Sequence, residues 1–154
     1  MKRLIILGST GSIGVQALEV AERNGYRVTA LAAGKITQLL EKQARKFKPD
    51  IVAGSDESAA QDLKIRLQDT DIKVLVGQDG VCAAAQYEGD IVLNAIVGIA
   101  GLRPTLAAID AGKSIALANK ETLVAGGEIV NRRLKEPGVK LLPDDSEHSA
   151  IFQS

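Results

Sequence analysis

The chain has 154 residues, of which 45% are hydrophobic, and its 19 basic and 19 acidic side chains cancel to a formal net charge of zero. This length and composition are typical of one globular domain, and the balanced charge argues against nucleic acid or an anionic membrane as a partner. Aromatic residues make up only 3%, which leaves few side chains for stacking on nucleic-acid bases.

Short apolar runs alternate with helical stretches along the whole chain. The pattern predicts seven strands, at residues 4–7, 28–33, 50–53, 72–76, 90–95, 114–118 and 139–142. It predicts six helices between them, at residues 12–24, 35–47, 55–68, 80–87, 104–111 and 121–135. Strands that are apolar on both faces are typical of parallel sheets. The alternation therefore predicts a doubly wound α/β fold of the Rossmann type, with a mostly parallel sheet and helices on both faces.

Three glycines join the first predicted strand to the first predicted helix. Gly8, Gly11 and Gly14 are spaced as in a variant of the dinucleotide-binding fingerprint. Such glycines allow a tight turn, a close approach to a pyrophosphate, and packing of the helix on the strand. The helix N-terminus then offers N–H groups and a positive dipole end to phosphate. A tight turn without a ligand needs glycine as well, so the pattern by itself allows both interpretations.

The end of the second strand carries the signal for cofactor choice. An NAD site usually has a carboxylate here that binds the ribose hydroxyls, whereas residues 31–36 contain no carboxylate and one lysine, Lys35. This favours the 2′-phosphate of NADP. The alternative is that Lys35 is a solvated residue at a helix start, as surface lysines often are.

Two segments follow later strands, where open α/β sheets bind their ligands. Residues 94–101 include several small residues, which either pass close to a cofactor or form a packing turn. In the second segment Asn119 and Glu121 suit a helix start. Lys120 between them suits it poorly, because a cation is unfavourable at a helix N-terminus. Lys120 is therefore equally consistent with an anionic or oxygen-rich ligand and with a helix start.

A pair of carboxylates follows the last predicted strand. Asp145 and Glu147 are two residues apart, so in extended backbone they face the same way and would offer oxygen ligands to one hard cation. The alternative is a helix start with Asp145 as the N-cap.

The single cysteine and the apolar runs bear on location. Cys82 lies in an apolar helical run, where we expect a buried structural thiol. One cysteine makes no internal disulfide, which is consistent with a reducing cytoplasm. The runs are too short for a targeting segment or a bilayer span, so we expect a cytoplasmic protein.

Five segments, in this order, resemble the 1-deoxy-D-xylulose 5-phosphate reductoisomerase family. They are residues 7–14, 33–35, 96–106, 117–121 and 145–153. The resemblance implies an enzyme of isoprenoid precursor synthesis by the methylerythritol phosphate route. Members isomerise the phosphosugar 1-deoxy-D-xylulose 5-phosphate and reduce the product with NADPH to 2-C-methyl-D-erythritol 4-phosphate. They use a divalent cation, Mg²⁺ or Mn²⁺, and Co²⁺ also serves.

The resemblance also implies site residues, position by position. Implied cofactor contacts are Thr10, Gly11, Ser12 and Ile13 at the pyrophosphate, Gly34 and Lys35 at the 2′-phosphate, and Asn119 and Glu121. Implied metal ligands are Asp145 and Glu147. Implied substrate contacts are Lys120, Ser146 and Glu147, of which Lys120 and Glu147 would be catalytic. Three positions depart from the family pattern, with Ile36 in place of a frequent Asn, Asp144 in place of a usual Val and Thr122 in place of a usual Ser.

Family members continue well beyond residue 154. We therefore expect residues 1–154 to be the NADPH-binding domain, ending at the start of the catalytic region, and to be inactive without the remaining catalytic residues. The whole protein would be a homodimer with no nucleic-acid or membrane partner. Two other hypotheses are a different NADP-dependent dehydrogenase, such as one that acts on an aspartate-derived semialdehyde, and a free-standing dinucleotide-binding or redox-sensing module without catalysis.

Overall fold

The structure is a computed structural model that describes residues 2–35, 37–117 and 140–142. The strands are β1 (Arg3–Leu7), β2 (Arg27–Ala33), β3 (Ile51–Gly54), β4 (Lys73–Val76), β5 (Ile91–Asn94), β6 (Ser114–Leu117) and β7 (Lys140–Leu142). The α-helices are α1 (Ser12–Asn24), α2 (Thr37–Phe47), α3 (Glu57–Arg66), α4 (Gly77–Ala85) and α5 (Leu102–Asp110), and a 3-10 turn spans Gly98–Gly101.

All seven strands form one parallel sheet in the order β4-β3-β2-β1-β5-β6-β7. The chain builds outward from β1 to β4, then returns to the other side of β1 with β5. The strand order therefore reverses between β1 and β5, and a crevice opens beyond the carboxyl ends of strands at such a point. The predicted doubly wound α/β fold is confirmed.

The sheet is buried on both faces, and β1 shows how. Leu4 and Ile6 point to one face, where they join the core formed with α1, α2 and α3. Ile5 and Leu7 point to the other face and pack with α4 and α5. Each of these four side chains is at most 2% exposed, which explains why the strands read as apolar runs without alternation. Many core positions on the second face are alanines, so α4 and α5 approach the sheet closely.

A bulge in β2 keeps its side chains in phase with β1. The register shifts between Leu4 and Ile5, which pair with Val28 and Ala30, so that Thr29 is the extra residue. The buried Thr29 hydroxyl donates to the Glu88 carbonyl oxygen at 2.6 Å and lies 3.4 Å from that of Leu4. These bonds satisfy a polar group that burial would otherwise penalise.

Four of the five described helices differ from the predicted bounds, and one of them is α3, which spans Glu57–Arg66 where the prediction was 55–68. The predicted helix 35–47 begins at Thr37, because Lys35 lies in a bend after β2. The predicted helix 80–87 begins at Gly77, whose φ of 82° lets the chain turn directly from β4 into α4. The predicted helix 104–111 begins at Leu102; Pro104 is tolerated there because the first turn needs no N–H donors.

Other expectations are met, corrected or lie outside the described part. The helix predicted from residue 55 begins at Glu57, and Asp56 is its N-cap, accepting a hydrogen bond from the Ala59 N–H at 2.9 Å. Cys82 is partly exposed rather than buried. The predicted helix 121–135 lies outside the described residues. Within the described ranges, none of the helices has the length and apolar character needed to cross a bilayer.

Asp90 joins the starts of β1 and β5 and gives a pH-dependent prediction. Its carboxylate accepts a hydrogen bond from the Arg3 main-chain N–H at 2.8 Å and lies 3.5 Å from the Arg3 guanidinium. These interactions, the main-chain bond first, lower the pKa of Asp90. A carboxyl whose pKa is lower in the folded state stabilises the fold above its unfolded pKa of about 3.9, and this stabilisation is lost as the pH falls through the folded value.

The variant Asp90→Asn should therefore be less stable than the wild type at neutral pH, by up to about 1 kcal/mol for a half-exposed charge-assisted bond. The difference should shrink as the pH falls below the unfolded pKa of about 3.9 and the wild-type carboxyl becomes protonated. Urea unfolding at several pH values measures this. A stability difference that stays constant from neutral to acidic pH would contradict the assignment.

Candidate functional site

A cleft lies at the carboxyl edge of the sheet, beyond the ends of β1, β2, β3 and β5. Its volume is about 200 Å³. The lining residues are Gly8, Gly11, Ala33, Gly34, Ser55, Gln78, Val81, Ala95, Ile96, Val97 and Ala100. Three segments supply most of them, namely the glycine loop, the turn after β2 and the loop after β5. The cleft therefore sits at the point where the strand order reverses.

The three glycines of the loop have different roles. Gly8 has a φ of 81°, and a Cβ there would lie 2.8 Å from the Ala95 carbonyl carbon. A Cβ on Gly14 would collide with the Gly8 carbonyl oxygen and lie 2.6 Å from Ser9 Cα. A Cβ on Gly11 would meet only the Gly8 oxygen, at 3.6 Å. Gly8 and Gly14 thus serve packing within the fold, whereas Gly11 keeps the cleft open.

The N-terminus of α1 faces this loop without a side-chain cap. Its N-cap residue is Gly11, and the Val15 N–H donates to the Gly11 carbonyl oxygen at 2.9 Å. The N–H groups of Ser12, Ile13 and Gly14 precede that bond, and such first-turn donors have no partner within a helix. Together with the positive end of the helix dipole they form an arrangement that favours a phosphate or another anion.

The turn after β2 brings a cation to the side of the cleft. Gly34 lines the cleft, and the adjacent Lys35 side chain is 83% exposed. The Lys35 Nζ lies 3.9 Å from Oδ2 of Asp56, the residue that caps α3. Such a long and solvated ion pair contributes little to stability, so exchanging Asp56 for an anionic ligand would cost little.

A buried asparagine holds the loop after β5. The Asn94 amide donates to the Gly101 carbonyl oxygen at 2.9 Å and to the Thr105 hydroxyl oxygen at 2.7 Å. Its Oδ1 accepts from the Ile96 N–H at 3.1 Å. Asn94 is 1% exposed, and these bonds satisfy the side chain without water. The loop is thereby fixed at both ends, and it presents Val97 to solvent at the cleft.

The same loop and the start of α5 are hydrogen-bonded to α4. The Gln78 amide donates to the Ala100 carbonyl oxygen at 3.3 Å, and the Arg103 guanidinium donates to Asp79 at 2.8 Å. The bond to Asp79 raises the pKa of Arg103. Burial raises the pKa of the Cys82 thiol beside this pair, so Cys82 is a weak nucleophile at neutral pH.

A larger cavity of about 380 Å³ lies at the opposite edge of the sheet. It includes Pro49 and Asp50, which precede β3, and Asp71 and Ile72, which precede β4. Ligands of open α/β sheets bind beyond the carboxyl ends of the strands, and this cavity lies at their amino ends. The smaller cleft is therefore the candidate site.

The structure brings some of the predicted site residues together. Gly11 and Gly34 line the same cleft, Thr10 lies in the glycine loop, and Ser12 and Ile13 begin α1. The remaining predicted residues lie outside the described part of the chain, namely Asn119, Lys120, Glu121, Asp145, Ser146 and Glu147, as do Ile36 and Asp144. Within residues 2–35, 37–117 and 140–142, no three His, Cys, Asp or Glu side chains gather as a metal site.

Two buried polar residues, one in the glycine loop and one in α2, were not identified from the sequence. Ser9 and Gln43 are 0% and 7% exposed and hydrogen-bond to each other. Gln43 lies on the buried stripe of α2 with Leu40, Ala44 and Phe47. A polar residue at a core-facing helical position was the available signal, because such a residue needs a partner.

A doubly wound parallel sheet with a glycine loop and an open helix N-terminus at its reversal point defines a Rossmann-like domain of the dinucleotide-binding class. Comparison with known proteins narrows the class. The sequence model of the 1-deoxy-D-xylulose 5-phosphate reductoisomerase family matches residues 4–127. The chain therefore belongs to the 1-deoxy-D-xylulose 5-phosphate reductoisomerase family.

Individual relatives agree with this assignment. The reductoisomerase of Agathobacter rectalis is 57% identical over 156 aligned residues, covering 100% of this chain and 41% of that protein. The Zymomonas mobilis reductoisomerase, solved with NADPH, is 42% identical with a TM-score of 0.89, over 99% of this chain and 41% of that one. A reductoisomerase solved with NADPH, fosmidomycin and magnesium is 40% identical with a TM-score of 0.89, over 99% of this chain and 38% of that one. The chain thus spans about two fifths of its relatives' length.

The different roles of the loop glycines can be separated by two alanine variants. Gly14→Ala should lose at least about 2 kcal/mol of unfolding free energy, because the new Cβ collides with backbone atoms. Gly11→Ala should change it by less than about 1 kcal/mol, because its φ of −80° and ψ of 171° suit alanine. Urea unfolding compares them. Equal losses for the two variants would contradict these roles.

Proposed function

We propose that residues 1–154 are the NADPH-binding domain of an enzyme that isomerises and reduces 1-deoxy-D-xylulose 5-phosphate to 2-C-methyl-D-erythritol 4-phosphate. The observation that carries the proposal is one cleft lined by Gly11 at the N-terminus of α1 and by Gly34 after β2, with the exposed Lys35 next to Gly34 in the chain. The same family's structures from Zymomonas mobilis and elsewhere hold NADPH. The family match does not favour a free-standing redox-sensing module.

The pyrophosphate would lie over the glycine loop. The main-chain N–H groups of Thr10, Ser12 and Ile13 would donate to its oxygens, and Gly11, whose own N–H donates to the Gly8 carbonyl oxygen, would let it approach the backbone closely. The space above Gly11, where a Cβ would project, is consistent with a ligand in this position. NADPH, when bound, supplies a hydride, whereas these residues only bind and orient.

The adenosine end would lie by the turn after β2. The chain there offers Gly34 and Lys35 instead of the carboxylate that selects the ribose hydroxyls of NAD. A 2′-phosphate carries more negative charge than the Asp56 carboxylate now near Lys35 Nζ, and it would form a stronger pair with that ammonium. Apolar residues Ala95, Ile96 and Val97 would flank the sugar and ring faces.

The catalytic part of the proposal rests on residues outside the described ranges. Asn119 and Glu121 would contact the cofactor, and Lys120 and Ser146 the phosphosugar substrate. Asp145 and Glu147 would hold Mg²⁺ or Mn²⁺, since paired carboxylates suit a hard cation, and a divalent metal stabilises negative charge on substrate oxygens when bound. The presence of magnesium in a family structure supports this assignment. We also propose a homodimeric, cytoplasmic whole protein.

The variant Lys35→Gln tests the cofactor assignment. Removing the ammonium should weaken NADPH binding about tenfold, as expected for the loss of one charge-assisted contact to phosphate. NADH binding should stay unchanged, because NADH lacks the 2′-phosphate. Titration of the chain with each nucleotide, followed by nicotinamide fluorescence, gives both affinities.

The matched control is Lys46→Gln. It removes an exposed lysine of the last turn of α2, which is paired with Glu22 of α1. It should leave both affinities unchanged. An NADPH-to-NADH preference that is the same in the wild type and in Lys35→Gln would refute the role of Lys35.

A further inference from the structure

Every polar group of Ser9, the second residue of the glycine loop, forms a hydrogen bond. Its N–H donates to the Ala32 carbonyl oxygen at 3.1 Å. Its hydroxyl donates to Oε1 of Gln43 at 2.8 Å, and its carbonyl oxygen accepts from Nε2 of Gln43 at 2.8 Å. Because the side chain is completely buried, water does not compete for these bonds.

The partner, Gln43, is in an unusual place for a glutamine. It lies on the core-facing side of α2 and is 7% exposed. Burying an amide costs free energy unless it is hydrogen-bonded, and an apolar side chain of the same size would pack there without that requirement. The two bonds to Ser9 use the carbonyl oxygen and one N–H of the amide. These two bonds fix the position of the glycine loop relative to α2.

We propose that Gln43 is a positioning residue, which holds residues 8–13 in the conformation that receives the cofactor pyrophosphate. The inference rests on the proposed function of the cleft and adds a residue that does not line the cleft. Gln43 acts through Ser9, directly before Thr10 and Gly11. It also joins the loop to the helix that follows Gly34 and Lys35, so both phosphate-binding segments share one rigid support.

The test is the variant Gln43→Met, which is nearly isosteric and has a similar helix propensity but forms neither bond. The affinities of the chain for NADPH and NADH should both fall about tenfold, the size expected from losing two buried hydrogen bonds that order the loop. The ratio of the two affinities should not change, because the pyrophosphate is common to both. Amide hydrogen exchange at residues 9–13 should become faster than in the wild type.

The matched control is Thr29→Val, which also removes a buried side-chain hydrogen bond, but at the amino edge of the sheet. It should leave both nucleotide affinities and the exchange of residues 9–13 unchanged. Ser9→Ala serves as a second variant if Gln43→Met does not fold. It removes one of the two bonds and should weaken both nucleotides about threefold.

Two results would overturn the proposal. One is unchanged affinity and unchanged loop exchange in Gln43→Met, or in Ser9→Ala if that variant replaces it. The other is an equal loss of affinity in Thr29→Val, which would indicate general destabilisation. If the wild-type chain binds neither nucleotide, the proposed function of the cleft fails, and the exchange rates of residues 9–13 still decide whether Gln43 holds the loop.

Discussion

The close approach of the chain after β1 to the chain after β5 is the constraint on which the cleft depends. The two strands are neighbours at the point where the sheet order reverses, and Gly8 passes so near Ala95 that a side chain would not fit between them. The Ala95 N–H donates to the Leu7 carbonyl oxygen at 2.8 Å, which extends the pairing of β1 and β5 beyond β5. The chain segments that follow β1 and β5 then diverge, and the cleft is the space between them.

Polar side chains buried behind the cleft keep its walls in place. Asn94 fixes the loop after β5, and Gln43 fixes the glycine loop through Ser9. Each forms its bonds away from water, where an unpaired polar group is costly. A loop that lost either set of bonds would leave buried donors and acceptors unsatisfied, so each loop strongly favours a single arrangement. Small residues then line the interior, and the ligand-facing surface consists mainly of backbone.

The sequence was sufficient for the fold because strand burial and glycine placement leave clear patterns. Apolar runs such as residues 4–7 and 90–95 predicted a parallel sheet, and Gly25, with its φ of 68°, ends α1 where predicted. Helix starts were less predictable. The start of α4 at Gly77 depends on a positive φ, which a glycine permits but which the sequence alone does not predict. The start of α5 follows a 3-10 turn, for which the sequence has no distinct pattern.

The candidate site could be predicted only in part. The spacing of Gly8, Gly11 and Gly14 and the absence of a carboxylate before Lys35 pointed to the cleft. The pairing of Ser9 with Gln43 could not be foreseen, because it joins residues 34 positions apart through the packing of α2 on the sheet. The roles proposed for residues 119–121 and 145–147 come mainly from the resemblance to the reductoisomerase family, because these residues lie outside the described ranges.

The central claim is that NADPH binds at the carboxyl edge of the sheet, between the glycine loop and the turn after β2. The most direct measurement is an NMR titration of the isotope-labelled chain with NADPH, following every backbone amide. The account predicts saturable shifts concentrated in residues 8–13, 34–35 and 95–100, with residues 70–73 at the opposite edge unchanged. Shifts concentrated at the opposite edge, or no shifts at millimolar NADPH, would contradict it.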